Sequence, residues 1–307
     1  MTRIVIDAIF FQINEWSGIA KQWGSLLASI DSYLDKNPHL GIEVYLLVRG
    51  ESKSLRTAKY QQIRKLPISF YDYRSAISDY QNLGDLCRRI EATVFISTYY
   101  TLAYGVPNIG VAYDFIPEHL NVIRTHHSWV AKALYMKSLS CILVNSESTA
   151  RDASIYYPNL DPAAANVFYP SIEPLEFRAI SPSESSAFRS RYKLHFPYIA
   201  IVGNRTNYKN IGLLNSGLQR RLPGQGPLPL GIVMTSGEEL NPEEIVMYSQ
   251  HFSFGVQRLN LASDELTCLL NGAEMLFYPS LLEGFGYPIL EAMAQGCPVI
   301  TTASTSI

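Results

Sequence analysis

In 307 residues, 25 Lys and Arg stand against 27 Asp and Glu, a formal charge of −2 with none of the basic excess that binding a nucleic-acid duplex demands. With 47% hydrophobic and only 17% charged residues, the chain has ample material for packed cores and too little polarity for intrinsic disorder. At roughly 100–200 residues per domain, its length predicts about two domains.

From the N-terminus, Arg3-Ile-Val-Ile-Asp7 reads as a strand that starts at once, with no charged region leading into an apolar signal core, so a secreted form is not expected. Further strands are predicted at Glu43–Val48, Thr93–Ser97, Asn108–Ala112 and Cys141–Asn145, and helices at Ile19–Asp35, Ser78–Ile90, Ser128–Lys137 and Thr149–Ile155. The strands are near-continuously apolar rather than alternating, as parallel strands covered on both faces should be, so the class is α/β with βαβ units. The uncharged stretch Ala92–Tyr113 has the length of a membrane span, but Gly105, Pro107, Asn108 and Gly110 favour two buried strands joined by a loop.

Around Glu173–Ser186 the chain turns to Pro, Ser and Glu, which reads as a linker followed by a capped helix. The expected layout is a first α/β domain over 1–172, a linker and connecting helix over 173–196, and a second α/β domain over 197–307. In the latter, strands are predicted at Tyr198–Gly203, Leu230–Met234, Met275–Tyr278 and Pro298–Thr302, with helices including Ile211–Arg220 and Asp264–Asn271. No repeat at solenoid period is present. Cys87, Cys141, Cys268 and Cys297 are scattered without a C-x-x-C pair, so neither a zinc site nor a disulfide framework is signalled and a reducing cytosolic compartment is expected.

Ligands of parallel α/β sheets sit outside the carboxyl ends of the strands, and the chemistry-bearing residues concentrate there. Tyr278-Pro-Ser-Leu-Leu-Glu-Gly-Phe-Gly-Tyr-Pro-Ile-Leu-Glu291 runs from a strand through a glycine loop into a helix that Pro288 suits at its start. Amides of the Gly284–Tyr287 loop and the positive helix end make a cradle for a phosphate or diphosphate. Glu283 stands at the mouth of that loop and Glu291 is expected in the first helical turn, so two carboxylates flank one anion site. Val202-Gly-Asn-Arg-Thr-Asn-Tyr-Lys-Asn210 places Arg205 and Lys209 after another strand, cations suited to a nucleoside diphosphate and to the charge it gains on leaving.

These residues resemble the signature of the family 4 (group 1) retaining glycosyltransferases of GT-B fold. The resemblance rests on Glu283 and Glu291 with seven residues between them within Glu-Gly-Phe-Gly-Tyr-Pro-Ile-Leu-Glu-Ala-Met-Ala-Gln-Gly-Cys-Pro-Val-Ile, and on the Val202–Asn210 segment. It extends to Asn145-Ser-Glu-Ser-Thr-Ala-Arg-Asp152, Tyr113-Asp-Phe-Ile-Pro-Glu118 and Ser17-Gly-Ile-Ala20, in the family's order along nearly the whole chain. It implies two Rossmann-like domains, the first on the acceptor side and the second binding a nucleotide sugar. The activity implied is transfer of a hexose from a nucleotide-diphosphate sugar to a saccharide or lipid-linked acceptor, with retention of configuration. By that resemblance Glu291 holds the ribose hydroxyls, Glu283 lies near the donor hexose, and the amides about Gly284, Phe285 and Gly286 meet the diphosphate and sugar. Arg205 and Lys209 neutralise the leaving diphosphate with no metal ion or other cofactor, while Gly203 and a Gly18 loop allow close approach to the donor. GDP-mannose is a family-level guess for the donor.

The chain departs from the family pattern in three places. Tyr113, followed by Asp114, stands where many relatives have a His that touches the transferred sugar. Asn204 separates Gly203 from Arg205, which makes Lys209 the firmer assignment of the two cations. The sequence stops straight after a strand, in mid-motif, so the second domain is expected to be incomplete and its sheet edge uncovered. A truncated, non-catalytic nucleotide-sugar-binding remnant, or a partner of an intact homologue, is the alternative reading. Placement in the cytoplasm, peripheral to the inner membrane face, suits polysaccharide or lipid-linked sugar assembly.

Other signals have plainer readings. Ser146, Ser148 and Thr149 fit helix capping completed by Asp152, His126-His127 lacks further ligands for a metal, and Gly224-Gln-Gly226 reads as a turn. Tyr99, Tyr100 and Tyr104 carry rings that suit an acceptor sugar, although core packing is the preferred account of them.

Overall fold

A computed structural model describes all residues except 16, 123–126, 160–164, 171–177 and 221–223, so His126 and the start of the expected linker lie outside the described residues. By internal contacts the chain divides into Met1–Ser171 and Ile172–Ile307.

In the first unit the order is β1 Thr2–Asp7, α1 Ile9–Asn14, α2 Gly18–Lys36, β2 Ile42–Arg49, α3 Lys53–Thr57, β3 Ile63–Ile68, α4 Ala76–Ile90 and β4 Val94–Ser97. It continues with β5 Asn108–Ala112, α5 Ile116–His119, α6 His127–Ser138, β6 Cys141–Val144, α7 Glu147–Tyr156 and β7 Ala165–Val167. The described strands form one sheet in the order β3-β2-β1-β4-β5-β6-β7, with every pairing parallel. One face carries Ile6, Val44 and Leu46 against Trp23, Leu27 and Leu34 of α2, while Val5, Leu47 and Phe95 pack with Leu83 and Cys87 of α4 on the other.

The second unit contains α8 Pro182–Arg191, β8 Tyr198–Val202, α9 Gly212–Gln219, β9 Gly231–Thr235, α10 Pro242–His251, β10 Val256–Leu259, α11 Ser263–Gly272, β11 Met275–Tyr278, α12 Tyr287–Ala294 and β12 Val299–Thr301. Its sheet runs β10-β9-β8-β11-β12, again all parallel. Every residue of β8 and β9 is buried, the signature of inner strands covered on both faces.

Three strands absent from the expected set, β3, β7 and β10, all lie at sheet edges. Edge strands carry polar residues and proline that inner strands exclude, as β3 does with Arg64, Lys65 and Pro67, and this erased the apolar signal. α10 was also missed, although Asn241 accepts from the Glu244 amide and Glu244 caps back onto the Asn241 amide, a box visible in the sequence. α7 needs a correction: Ser146 is its cap, receiving the Thr149 amide, and Asp152 instead meets the His119 ring at 2.9 Å.

Gly110 in the first unit is fixed by close approach. A Cβ on Gly110 in β5 would lie 2.5 Å from both the Tyr135 hydroxyl and the Leu139 side chain. Tyr135 has no room to yield, since it is fully buried and its oxygen accepts the Val111 amide at 2.7 Å. Gly110→Ala should destabilise the first unit by about 1–3 kcal/mol, read as an earlier urea transition; an unchanged midpoint would refute the packing account.

Candidate functional site

The second unit gathers its polar chemistry at the carboxyl ends of β8 and β11. After β8, Gly203 has φ +105°, a backbone shape that other residues rarely adopt, and the chain then makes one 3-10 turn over Asn207–Lys209. Asn210, in the left-handed region at φ +54°, donates from its side chain to the Pro279 carbonyl, and the Leu281 amide donates to the Tyr208 carbonyl at 2.8 Å. The loops after β8 and β11 are thereby clipped together.

That clip sets Lys209 Nζ against Glu283 Oε1 at 2.5 Å and the Tyr278 hydroxyl at 2.9 Å, and Tyr278 donates to the same Glu283 oxygen at 2.7 Å. The ammonium also rests over the rings of Tyr208 and Tyr278. The lysine and glutamate side chains are only 14% and 11% exposed, so this three-cornered contact is shielded well beyond a surface ion pair. Burial above all, with the Glu283 and Glu291 carboxylates adding to it, pushes the Tyr278 phenol far above its ordinary pKa and keeps it a proton donor.

Glu291 is buried in α12 and close enough to Tyr278 for its charge to be felt there, so both acids and Lys209 belong to one locality. It is the fifth residue of α12, in the second turn rather than the first, so its charge is not explained by the helix end. Gly286 caps α12 with φ +91°, and Gly284 and Phe285 precede it. The chain thus runs from Glu283, the partner of Lys209, through this glycine loop into the positive end of α12, a combination suited to an anion.

Hydroxyls after β12 brace this loop. Thr305 Oγ1 accepts the Glu283 amide at 3.0 Å, Ser306 donates to the Glu283 carbonyl at 2.9 Å, and Thr302 and Ser304 donate to the Ser280 carbonyl. Sequence reading missed Tyr278 and these hydroxyls. The available signals were a phenol at the carboxyl end of a strand and a run of Thr and Ser after the last one.

Arg205 does not join Lys209. Its guanidinium reaches the Glu239 carbonyl at 3.2 Å and Glu244 at 3.7 Å, toward the capping box of α10, and its Nη1 is buried with no hydrogen-bond partner. The expected pair of cations is thus divided between two sides of the β8 loop.

In the first unit Gly18 is not in a loop but opens α2, which Ser17 caps by accepting the Ala20 amide, and a Cβ there would meet open space. Tyr113 is a core residue: its oxygen accepts from Trp23 Nε1 at 2.5 Å and donates to the Thr98 carbonyl at 2.8 Å. Tyr99, half-buried, stacks on Tyr100 with centroids 3.8 Å apart. Asp114 follows β5, and its Oδ1 accepts the Ile116 amide at 3.1 Å.

Two features of this unit were not foreseen. Arg49 at the end of β2 bridges Asp7 at the end of β1 and Asp79 in α4, with Nη2 2.8 Å and 2.9 Å from them, and Thr101 donates to Asp7 at 2.7 Å. Next to it lies a cavity of about 210 Å³ bordered by Asp79, Tyr71, Tyr80, Tyr100, Thr101 and Leu134. Among the described residues no group of three or more His, Cys, Asp and Glu is arranged to hold a metal ion, and no helix is long and apolar enough to cross a membrane.

The two parallel units are those of the GT-B fold, found across the chain in the structure of Anabaena Alr3699/HepE with UDP and glucose: TM-score 0.68, 18% identity, covering 100% of this chain and 82% of that one. Residues 197–307, which hold Lys209, Glu283 and Glu291, match the family model for glycosyl transferases group 1. A 47-residue stretch, 15% of the chain, is 43% identical to the MMP alpha-(1->4)-mannosyltransferase of Mycolicibacterium hassiacum, and 232 residues, 68% of the chain, are 24% identical to the serotype-specific mannosyltransferase WbdA of Escherichia coli. The matched stretches span only 11% and 27% of those two proteins.

Proposed function

We propose that the protein transfers a hexose from a nucleoside-diphosphate sugar to a saccharide or lipid-linked acceptor with retention at the anomeric carbon. The reading is supported above all by the contact of Lys209 with Glu283 and Tyr278 beside the opening of α12, within the segment that matches the transferase family. As the bond from the anomeric carbon to the diphosphate breaks, negative charge grows on the leaving oxygen. Lys209 and the amides of the Gly284–Gly286 loop oppose that charge, with no metal ion required. Glu291 takes ribose hydroxyls and Glu283 those of the hexose. Asp114 is assigned to the same chemistry, and the Tyr80 and Tyr100 cavity offers aromatic and hydroxyl surface to an acceptor. Cytoplasmic residence beside the inner membrane face accords with such acceptors.

UDP, named with the Anabaena structure, and mannosyl transfer, named for both curated relatives, make UDP-glucose and GDP-mannose the donors to try first. A ligand that binds only the folded chain raises its melting temperature, so UDP, GDP and their sugars should separate in a thermal-shift series. The best stabilising donor should then give a labelled product whose anomeric configuration is read by NMR. If none of these nucleotides shifts the transition, the proposal is wrong.

A further inference from the structure

Lys209 is committed to partners of its own chain. Of its three N–H groups, one meets the Glu283 carboxylate and one the Tyr278 oxygen, and Glu283 Oε1 takes the Tyr278 proton as well. Glu283 Oε2 has no part in this triangle. An incoming diphosphate must draw the ammonium away from a carboxylate that is 11% exposed and then hold its own negative charge beside it.

Resting on the function just proposed, we infer that Glu283, steadied by Tyr278, is a specificity-determining residue that favours a sugar-bearing nucleoside diphosphate over the bare one. A bare diphosphate takes Lys209 and returns nothing to Glu283, whose charge stays shielded with the Tyr278 hydroxyl as its remaining partner. A nucleotide sugar brings hydroxyl protons to the same carboxylate and replaces the bond it lost with charge-assisted ones. After transfer the sugar is gone, Glu283 again competes for Lys209, and the product diphosphate is expelled. Tyr278 keeps the carboxylate in place through this exchange, because its hydroxyl donates to Glu283 Oε1 and its raised pKa keeps that proton on the phenol.

Isothermal titration of UDP against UDP-glucose, and of GDP against GDP-mannose, tests this on the wild-type chain, Glu283→Gln and Tyr278→Phe. The wild type should bind the sugar nucleotide of one pair more tightly than its bare diphosphate. Glu283→Gln removes the competing charge at constant shape, so the bare diphosphate should gain about tenfold in affinity and the preference should vanish. Tyr278→Phe keeps the Lys209–Glu283 pair, so the bare diphosphate should gain nothing. Wild-type preference for the bare diphosphate overturns the inference without recourse to any variant. So does a Glu283→Gln chain that binds it no better, or an equal gain in Tyr278→Phe, while the proposed function survives all three results. A wild-type chain that binds no nucleotide overturns both.

Discussion

Replacing Lys209 with alanine should lower sugar transfer by about 10²–10³-fold, the cost of removing one fixed donor from developing negative charge. The chain should stay folded, because Glu283 keeps the Tyr278 bond and the loop keeps its clip through Tyr208 and Asn210. Initial rates at saturating donor, alongside circular dichroism of the same preparation, measure both. Wild-type turnover by a folded Lys209→Ala chain would remove the lysine from the chemistry. Arg205→Ala makes the contrast: its head group is engaged by Glu239 and Glu244, so transfer should fall far less.

Arg49→Met should strongly destabilise the first unit. Arg49 is 1% exposed and Asp7 is fully buried, so the methionine strands a carboxylate with Thr101 as its main donor. Breaking one side of such a buried pair costs about 3–5 kcal/mol, on the order of ten degrees in melting temperature for a unit of this size. Adding Asp7→Asn to the same chain should recover much of the loss, since the stranded charge is then gone. Thermal unfolding followed by circular dichroism distinguishes the two variants, and an Arg49→Met chain that melts with the wild type would show that the network is not structural.

What could be read in advance followed from how each feature is encoded. β8 and β9 announce themselves because a strand buried on both faces must be apolar throughout, and the Glu283 to Glu291 stretch because strand, glycine loop and helix follow one another in sequence. β3 and β10 were hidden because an edge needs only half that burial. Arg205 lies apart from Lys209 because its guanidinium reaches Glu239 and Glu244, which no local spacing links to it. The Arg49 network joins residues 7, 49, 79 and 101, each an ordinary end of strand or helix when taken alone. Tyr113 looked like a site residue because the resemblance puts it where relatives carry a sugar-touching His, but Trp23 and Thr98 hold its hydroxyl in the core.

Among the described residues all strand pairs in both sheets are parallel, so they offer no hairpin as a local nucleus. β1 must wait for β4, some ninety residues on, before both its sides are paired. Loop closures of that span slow the search for the native state and leave strand edges open meanwhile. Newly synthesised chains should therefore pass through a window in which self-association competes with folding.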